Sequence, residues 1–159
     1  MLQEPQVIIY TDGSSRGNPG PGGYGVILHL NHTQHFKELS QGYRKTTNNR
    51  MELLAVIVGL EALIKEGLDV LVVSDSKYVV DSVTKGWVFG WEKKGFLGKK
   101  NPDLWIRFLK AYRKHRVKFQ WVKGHNNHPM NERCDVLAVE ASKNNRLLID
   151  TGYEEETMF

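Results

Sequence analysis

The chain has 159 residues and a formal net charge of +4, and 40% of its residues are hydrophobic and 25% charged. This composition is typical of a globular protein long enough to bury a core without disulfides, and the single cysteine, Cys134, has no partner for an internal one. No apolar run approaches the roughly 20 residues that cross a bilayer, and the first residues lack a secretory signal, so we expect one domain over 1–159, a cytoplasmic monomer and no membrane partner.

The first half of the chain predicts an antiparallel meander, one helix and a buried strand. Short apolar runs between turn residues are typical of strands, and apolar residues at helical spacing after Asn49 indicate a helix. The predicted elements are strands Val7–Tyr10, Tyr24–Leu30 and Gln34–Tyr43, a turn over 17–23, a helix Asn49–Glu66 and a strand Val70–Val73.

The second half adds helices and one more strand, so the fold class is α/β with a mixed five-stranded sheet, three antiparallel strands followed by parallel ones, flanked by helices. A basic protrusion is expected over about 85–101 and a C-terminal tail over about 145–159. The predicted elements are a helix Ser76–Lys85, an irregular insertion over 86–101, a helix Asp103–His115, a strand Val117–Val122, a polar loop over 123–130 and a helix Asn131–Lys143.

Positive charge is concentrated in one stretch of the sequence. Residues 85–118 contain eleven Lys and Arg against two acidic residues, so this stretch carries +9 and the rest of the chain −5. A basic segment beside an acidic remainder indicates a polyanionic partner bound on one side, with nucleic acid the first candidate.

Four carboxylates stand at the ends of predicted strands or near helix starts: Asp12, Glu52, Asp75 and Asp135. Each has an ordinary explanation, because Asp12 suits a turn, Asp75 a helix cap, and Glu52 a capping box with Asn49. If the first and fourth strands are neighbours, however, Asp12 and Asp75 leave the same sheet edge together. Clustered carboxylates repel one another unless a cation is present, and Mg²⁺ with phosphate suits such a site.

Eight ordered sequence blocks cover nearly the whole chain: Thr11-Asp12-Gly13-Ser14, Gly17 to Gly25, Thr46 to Leu53, Ser74 to Val79, Asp103-Leu104-Trp105, Trp121 to His125, Asn131 to Asp135 and Asp150 to Tyr153. In their order and approximate spacing these blocks resemble bacterial ribonuclease HI. The resemblance implies a ribonuclease H-like fold and an endonuclease that hydrolyses the RNA strand of an RNA/DNA hybrid without regard to sequence, leaving 5′-phosphate and 3′-hydroxyl ends.

The resemblance also implies a catalytic centre. Asp12, Glu52, Asp75 and Asp135 would bind two Mg²⁺ ions, for which Mn²⁺ can substitute, and His125 would assist proton transfer or product release from a loop. The ordinary explanation of His125 is a surface histidine, and the neighbouring residues Asn126, Asn127 and Met130 depart from the commonest bacterial pattern.

Hybrid binding is implied for a further set of residues. Some would face the minor groove and the RNA sugars, Thr47 and Asn101 would hold a DNA phosphate, and the basic protrusion would meet the DNA strand. Helix capping, loop hydrogen bonds and a small aromatic core are the ordinary explanations of the same residues. The full set is Gly13, Ser14, Asn18, Thr47, Asn48, Asn49, Trp87, Trp91, Lys93, Lys94 and Asn101.

The sequence allows three alternatives to be compared with this resemblance. The Gly-rich stretch over 17–25 lacks the signature of a phosphate-binding loop and precedes a strand, which excludes that reading. A zinc site from His125, His128 and Cys134 has suitable ligand types but no evident fourth ligand. A non-catalytic RNA/DNA hybrid-binding module would use the basic protrusion alone, but it would gain nothing from four carboxylates beside phosphates.

Overall fold

The computed structural model describes residues 4–124 and 128–156, and its centre is a five-stranded sheet in the order β3-β2-β1-β4-β5. Strand β1 is antiparallel to β2 and β2 to β3, whereas β1 is parallel to β4 and β4 to β5. The predicted mixed sheet is therefore confirmed. The strands are β1 Val7–Ser15, β2 Gly20–Leu30, β3 Phe36–Thr46, β4 Asp69–Ser74 and β5 Arg116–Trp121.

Helices pack against both faces of this sheet. Alternate strand residues point to opposite faces, so Ile9 and Val26 enter the main core beneath α1 and α4, while Tyr10 and Ile27 pack with Cys134 of α5. Within the described residues, no helix is long and apolar enough to cross a bilayer. The helices are α1 Asn48–Glu61, α2 Lys77–Thr84, α3 Trp87–Lys93, α4 Pro102–Tyr112, α5 Pro129–Ser142 and α6 Thr151–Glu156.

Several sequence-based boundaries were wrong: β2 begins at Gly20 inside the expected turn over 17–23, β3 ends at Thr46 rather than Tyr43, and α4 ends at Tyr112 rather than His115. Helix α1 ends at Glu61 rather than Glu66, and the side chain of Ile64, which is 99% exposed, has no core to pack against. Strand β1 continues to Ser15, because its pairing with β2 extends beyond its pairing with β4. The segment 86–101 was expected to be irregular, but its first half forms α3.

Tertiary packing explains why α3 forms despite a glycine in its middle. Val88 is fully buried, and the Trp91 ring packs edge-on against Trp105 of α4 with centroids 5.9 Å apart. Burial of these side chains outweighs the weak helix propensity of Gly90. The helix thus joins the core while presenting Lys93 and Lys94 to solvent.

Helix α5 lies directly on β2 at Gly25. A Cβ atom at this position would lie 2.2 Å from the carbonyl oxygen of Cys134, closer than any non-bonded contact allows. Only glycine therefore lets α5 approach the sheet so closely, and this approach sets the depth of the helix that carries Asp135.

We expect Gly25→Ala to lower the free energy of unfolding by about 2–3 kcal/mol, because α5 must move away from β2. Gly90→Ala is the matched control: a Cβ there meets nothing within 4 Å, so the substitution stabilises α3 by about 0.5–1 kcal/mol. Urea unfolding of both variants measures the effect. Equal stability of Gly25→Ala and the wild type would contradict the packing described here.

Candidate active site

Two acidic residues lie where β1 and β4 separate. The parallel pairing runs from Val7 beside Val70 to Tyr10 beside Val73 and then stops. Asp12 follows in β1 and is only 8% exposed, and Asp75 comes directly after the end of β4. Asp12 is therefore inside a strand rather than at its end, yet it shares this edge of the sheet with Asp75, as the sequence predicted.

Helix α1 brings Glu52 to the same place through a close approach at Gly13. A Cβ atom on Gly13 would lie 2.3 Å from the carbonyl carbon of Met51 and 2.4 Å from the nitrogen of Glu52. The backbone N–H of Gly13 donates to Oε1 of Glu52 and, at 3.0 Å, to Oδ1 of Asp12. One backbone amide thus orients two carboxylates toward each other.

Helix α5 supplies the remaining carboxylate and also joins the separating strands. The Asn131 side chain donates from Nδ2 to the carbonyl oxygens of Val73 at 3.2 Å and Thr11 at 3.4 Å. Asp135 lies one helical turn later, on the same helix face, and lines a small polar cavity together with Asp12 and Asp75. The helix therefore spans the gap between β1 and β4.

Helices α1 and α2 are capped by Thr47 and Ser76 rather than by Glu52 and Asp75. The Thr47 side chain accepts a hydrogen bond from the N–H of Arg50 at the start of α1, and the Ser76 side chain accepts one from Val79 at the start of α2. Glu52 and Asp75 are consequently not needed as caps, which removes their ordinary explanations.

The carboxylates disfavour one another's charge. Burial, followed by the neighbouring Asp75, raises the pKa of Asp12 to about 8. Burial, followed by Asp12 and Asp75, raises the pKa of Glu52 well above its ordinary value. At neutral pH the protein alone compensates this negative charge poorly, and a cation would relieve the repulsion.

The same residues fit a hard divalent cation. One oxygen each from Asp12, Glu52 and Asp75 can lie within 4.8 Å of one another, which is the arrangement of ligands around a single ion. Oδ1 of Asp75 is buried and has no hydrogen-bond partner among residues 4–124 and 128–156. Asp135 lies outside this tight group, at the border of the same cavity.

The comparisons with known proteins agree with this geometry. Residues 4–143 match the RNase H family model. The ribonuclease HI of Shewanella oneidensis is 51% identical over 162 residues, covering 99% of this chain and 100% of that protein. The chain belongs to the ribonuclease H family. It is therefore a ribonuclease, a hydrolase, and the predicted family resemblance is confirmed.

Solved structures of ribonucleases H share the fold. LC9-RNase H1, described as a type 1 RNase H with the type 2 active-site motif, is 33% identical with a TM-score of 0.80, covering all of this chain and 83% of its own. LC11-RNase H1, solved in complex with an RNA/DNA hybrid, is 29% identical with a TM-score of 0.63, covering 86% of this chain and 96% of its own.

Several residues predicted to bind the hybrid lie around one cleft, which we name the α1–α6 cleft. Its volume is about 460 Å³. Asn18 accepts a hydrogen bond from the N–H of Asn48 at 3.1 Å, and Asn48 accepts one from the N–H of Ser15 at 2.7 Å, so the β1–β2 turn is tied to α1. The lining residues are Asn18, Pro19, Thr47, Asn49, Lys100, Asn101, Tyr153 and Glu156.

A buried arginine that the sequence did not single out holds this cleft together. Arg50 is 1% exposed and donates to both oxygens of Asp150 at 2.8 and 2.9 Å and of Asp103 at 2.9 and 2.7 Å. It also reaches the side-chain oxygen of Asn101 at 3.3 Å. Burial alone would lower the pKa of Arg50, but its hydrogen bonds to Asp103 and Asp150 outweigh burial and raise that pKa.

The basic protrusion combines core packing with exposed charge. The Trp91 ring contacts the core, whereas Trp87 is 47% exposed with the Lys85 ammonium 5.3 Å from the centre of its ring. Lys93 and Lys94 point to solvent. The segment therefore combines a local aromatic core with a cationic surface, and Trp91 contacts the core while part of its side chain stays exposed.

Two further sequence-based proposals concern the role of His125 and a zinc site that includes Cys134. His125, Asn126 and Asn127 lie outside the described residues, so the role of His125 stays a prediction. Within the part of the chain that is described, Cys134 belongs to no group of metal-ligating side chains and instead donates from Sγ to the carbonyl oxygen of Tyr10. Burial raises the pKa of this thiol, which disfavours the thiolate that zinc requires.

Without metal, we expect Asp12→Asn to raise the free energy of unfolding at pH 8. The pKa of Asp12 is about 8 in the folded state against about 3.8 for an ordinary aspartate, so its ionisation opposes folding increasingly as pH rises from about 4 to about 8. Water that enters the cavity reduces the cost of the buried charge. We therefore expect Asp12→Asn to raise the free energy of unfolding by only about 2 kcal/mol at pH 8 and by almost nothing at pH 4.

Guanidinium unfolding in EDTA at the two pH values measures this difference. Asp81→Asn is the matched control, since the Asp81 side chain pairs with Lys85 on the surface of α2 at 3.7 Å, outside the carboxylate cluster, and its effect should stay below about 0.5 kcal/mol. A pH response shared by the two variants would contradict the charge repulsion inferred for Asp12.

Proposed function

We propose that this ribonuclease H hydrolyses the RNA strand of RNA/DNA hybrids with two divalent ions, Mg²⁺ in the cell, held by Asp12, Glu52, Asp75 and Asp135. The observation that carries the proposal is the convergence of Asp12, Glu52 and Asp75 within one ion's reach, where burial raises the pKa values of Asp12 and Glu52. The hybrid seen with LC11-RNase H1 supports the choice of substrate.

The chain's own residues define how the reaction would proceed. When bound, the ions supply Lewis-acid activation of water and of the scissile phosphate. Asp12 and Glu52, which the Gly13 amide orients, would hold the ions before substrate arrives. Water attacks phosphorus and the ribose 3′-oxygen departs, which leaves 5′-phosphate and 3′-hydroxyl ends. His125 would move the proton of the product or of the attacking water.

Hybrid recognition would divide between the two strands. Gly13 contacts the Asp12 and Glu52 carboxylates, and Asn18 and Asn49 line the α1–α6 cleft. Together with Ser14 and Asn48 they would meet the RNA sugars, whose 2′-hydroxyl both donates and accepts. Thr47 and Asn101 line the α1–α6 cleft and would hold a DNA phosphate. The protrusion residues Trp87, Trp91, Lys93 and Lys94 would contact the DNA backbone, so binding would weaken with salt and ignore base sequence.

A non-catalytic hybrid-binding module is the second candidate function. It would use the same cleft and the same exposed lysines. Four carboxylates at the centre of a phosphate-binding surface would weaken such a module, because they repel the backbone unless cations are bound. The carboxylate cluster therefore favours the nuclease. A monomeric state and a cytoplasmic location stay predictions.

Cleavage of an end-labelled RNA strand annealed to DNA tests the proposal. We expect cutting with Mg²⁺, none in EDTA, none of duplex DNA, and a loss of about a thousandfold or more in Asp12→Asn, because removing a ligand withdraws several kcal/mol of transition-state stabilisation. Asp81→Asn makes the same chemical change outside the cluster and should cut normally. Hybrid binding without cleavage would instead establish the non-catalytic module.

A further inference from the structure

The α1–α6 cleft has an acidic border. Glu156 of α6 lines it together with Thr47, Lys100 and Asn101. A carboxylate beside a phosphate site opposes binding of the anion, whereas Lys100 attracts it. We propose that α6 is part of the hybrid-binding surface and that Glu156 weakens the hold of the cleft on a DNA-strand phosphate. This inference rests on the proposed function of the cleft.

Buried contacts fix the start of α6. Arg50 pairs with both oxygens of Asp150, and the Thr46 hydroxyl donates to Oδ2 of Asp150 at 2.7 Å. The carbonyl oxygen of Asp150 then accepts the N–H groups of Tyr153 at 3.1 Å and Glu154 at 2.8 Å, which form the first turn of the helix. The same arginine orients Asn101, so α6 and the predicted phosphate ligand share one anchor.

The three consecutive glutamates of α6 have different surroundings. Glu154 accepts two hydrogen bonds from the Arg44 guanidinium, each 2.9 Å long, which ties the helix to β3. Glu155 is exposed and is not among the lining residues of the cleft. Glu156 is exposed at the cleft itself. Anchoring by Asp150 and Glu154 therefore determines which glutamate lies at the cleft.

The α1–α6 cleft thus contains one positive side chain, Lys100, and one negative side chain, Glu156. Lys100 and the donors of Asn101 and Thr47 can hold one phosphate, while the nearby Glu156 carboxylate limits how tightly it is held. A nuclease that ignores sequence must leave one hybrid to reach another, and a weakened phosphate contact shortens its residence. The acidic end of the chain thus acts on substrate affinity, in addition to the structural contact of Glu154.

Binding of a fluorescent RNA/DNA hybrid in EDTA, where no cleavage is expected, tests the inference. We expect Glu156→Gln to lower the Kd about two- to threefold at low salt, the size expected from one partly screened charge, and the gain to fade at high salt. Glu155→Gln removes the same charge one residue away and should change the Kd by less than about 1.3-fold. Thermal unfolding verifies that both variants fold like the wild type.

A hybrid with one neutral methylphosphonate linkage, moved stepwise along the DNA strand, locates the contact. At one position the advantage of Glu156→Gln over the wild type should disappear. Equal Kd values for the two glutamate variants, or an advantage that survives at every position, would overturn the inference. Failure of the wild type to cut the hybrid would contradict the proposed nuclease alone, because affinity is measured without cleavage.

Discussion

The close approach of α1 to β1 at Gly13 is the constraint on which the active site depends. Without a side chain at this position, the start of α1 touches the strand, and a single backbone amide contacts the carboxylates of Asp12 and Glu52. The end of the β1–β4 pairing then leaves room for Asp75, and the Asn131 side chain joins the two strands across that gap. This geometry places one buried and two partly buried acids together, and the repulsion between their charges lowers stability unless cations offset it.

Two ionic clusters in this fold have opposite roles. Around Arg50, one guanidinium donates two hydrogen bonds to each of two carboxylates, so the same cation holds both of them and the cluster connects α1, α4 and the chain before α6. Around Asp12 the carboxylates face one another. The paired cluster stabilises the scaffold, whereas the unpaired one is suited to binding, and Thr47, Arg50 and Glu52 place the first turns of α1 between them.

The sequence predicted the elements that depend on local patterns and missed those that depend on packing. Alternating and continuous apolar runs identified all five strands, and the position of Asp75 after Val73 followed directly from the end of a buried run. Nothing local indicates that β1 continues past Asp12, because that depends on β2, or that α3 forms around Gly90, because that depends on contact with Trp105. The sequence did not predict the role of Arg50, because its partners Asp103 and Asp150 are distant in sequence. In contrast, the four-residue spacing between Asn131 and Asp135 places both on one helix face and could have indicated the position of Asn131.

We propose that Asp12, Glu52 and Asp75 form a cation site before substrate binds. Anomalous diffraction from crystals of the protein grown with Mn²⁺ can locate such an ion without any assumption about activity. We expect an anomalous peak about 2.2 Å from one oxygen of each of the three residues, and no such peak in Asp12→Asn. Ordered Mn²⁺ found only elsewhere on the protein, with the three carboxylates still adjacent, would contradict it.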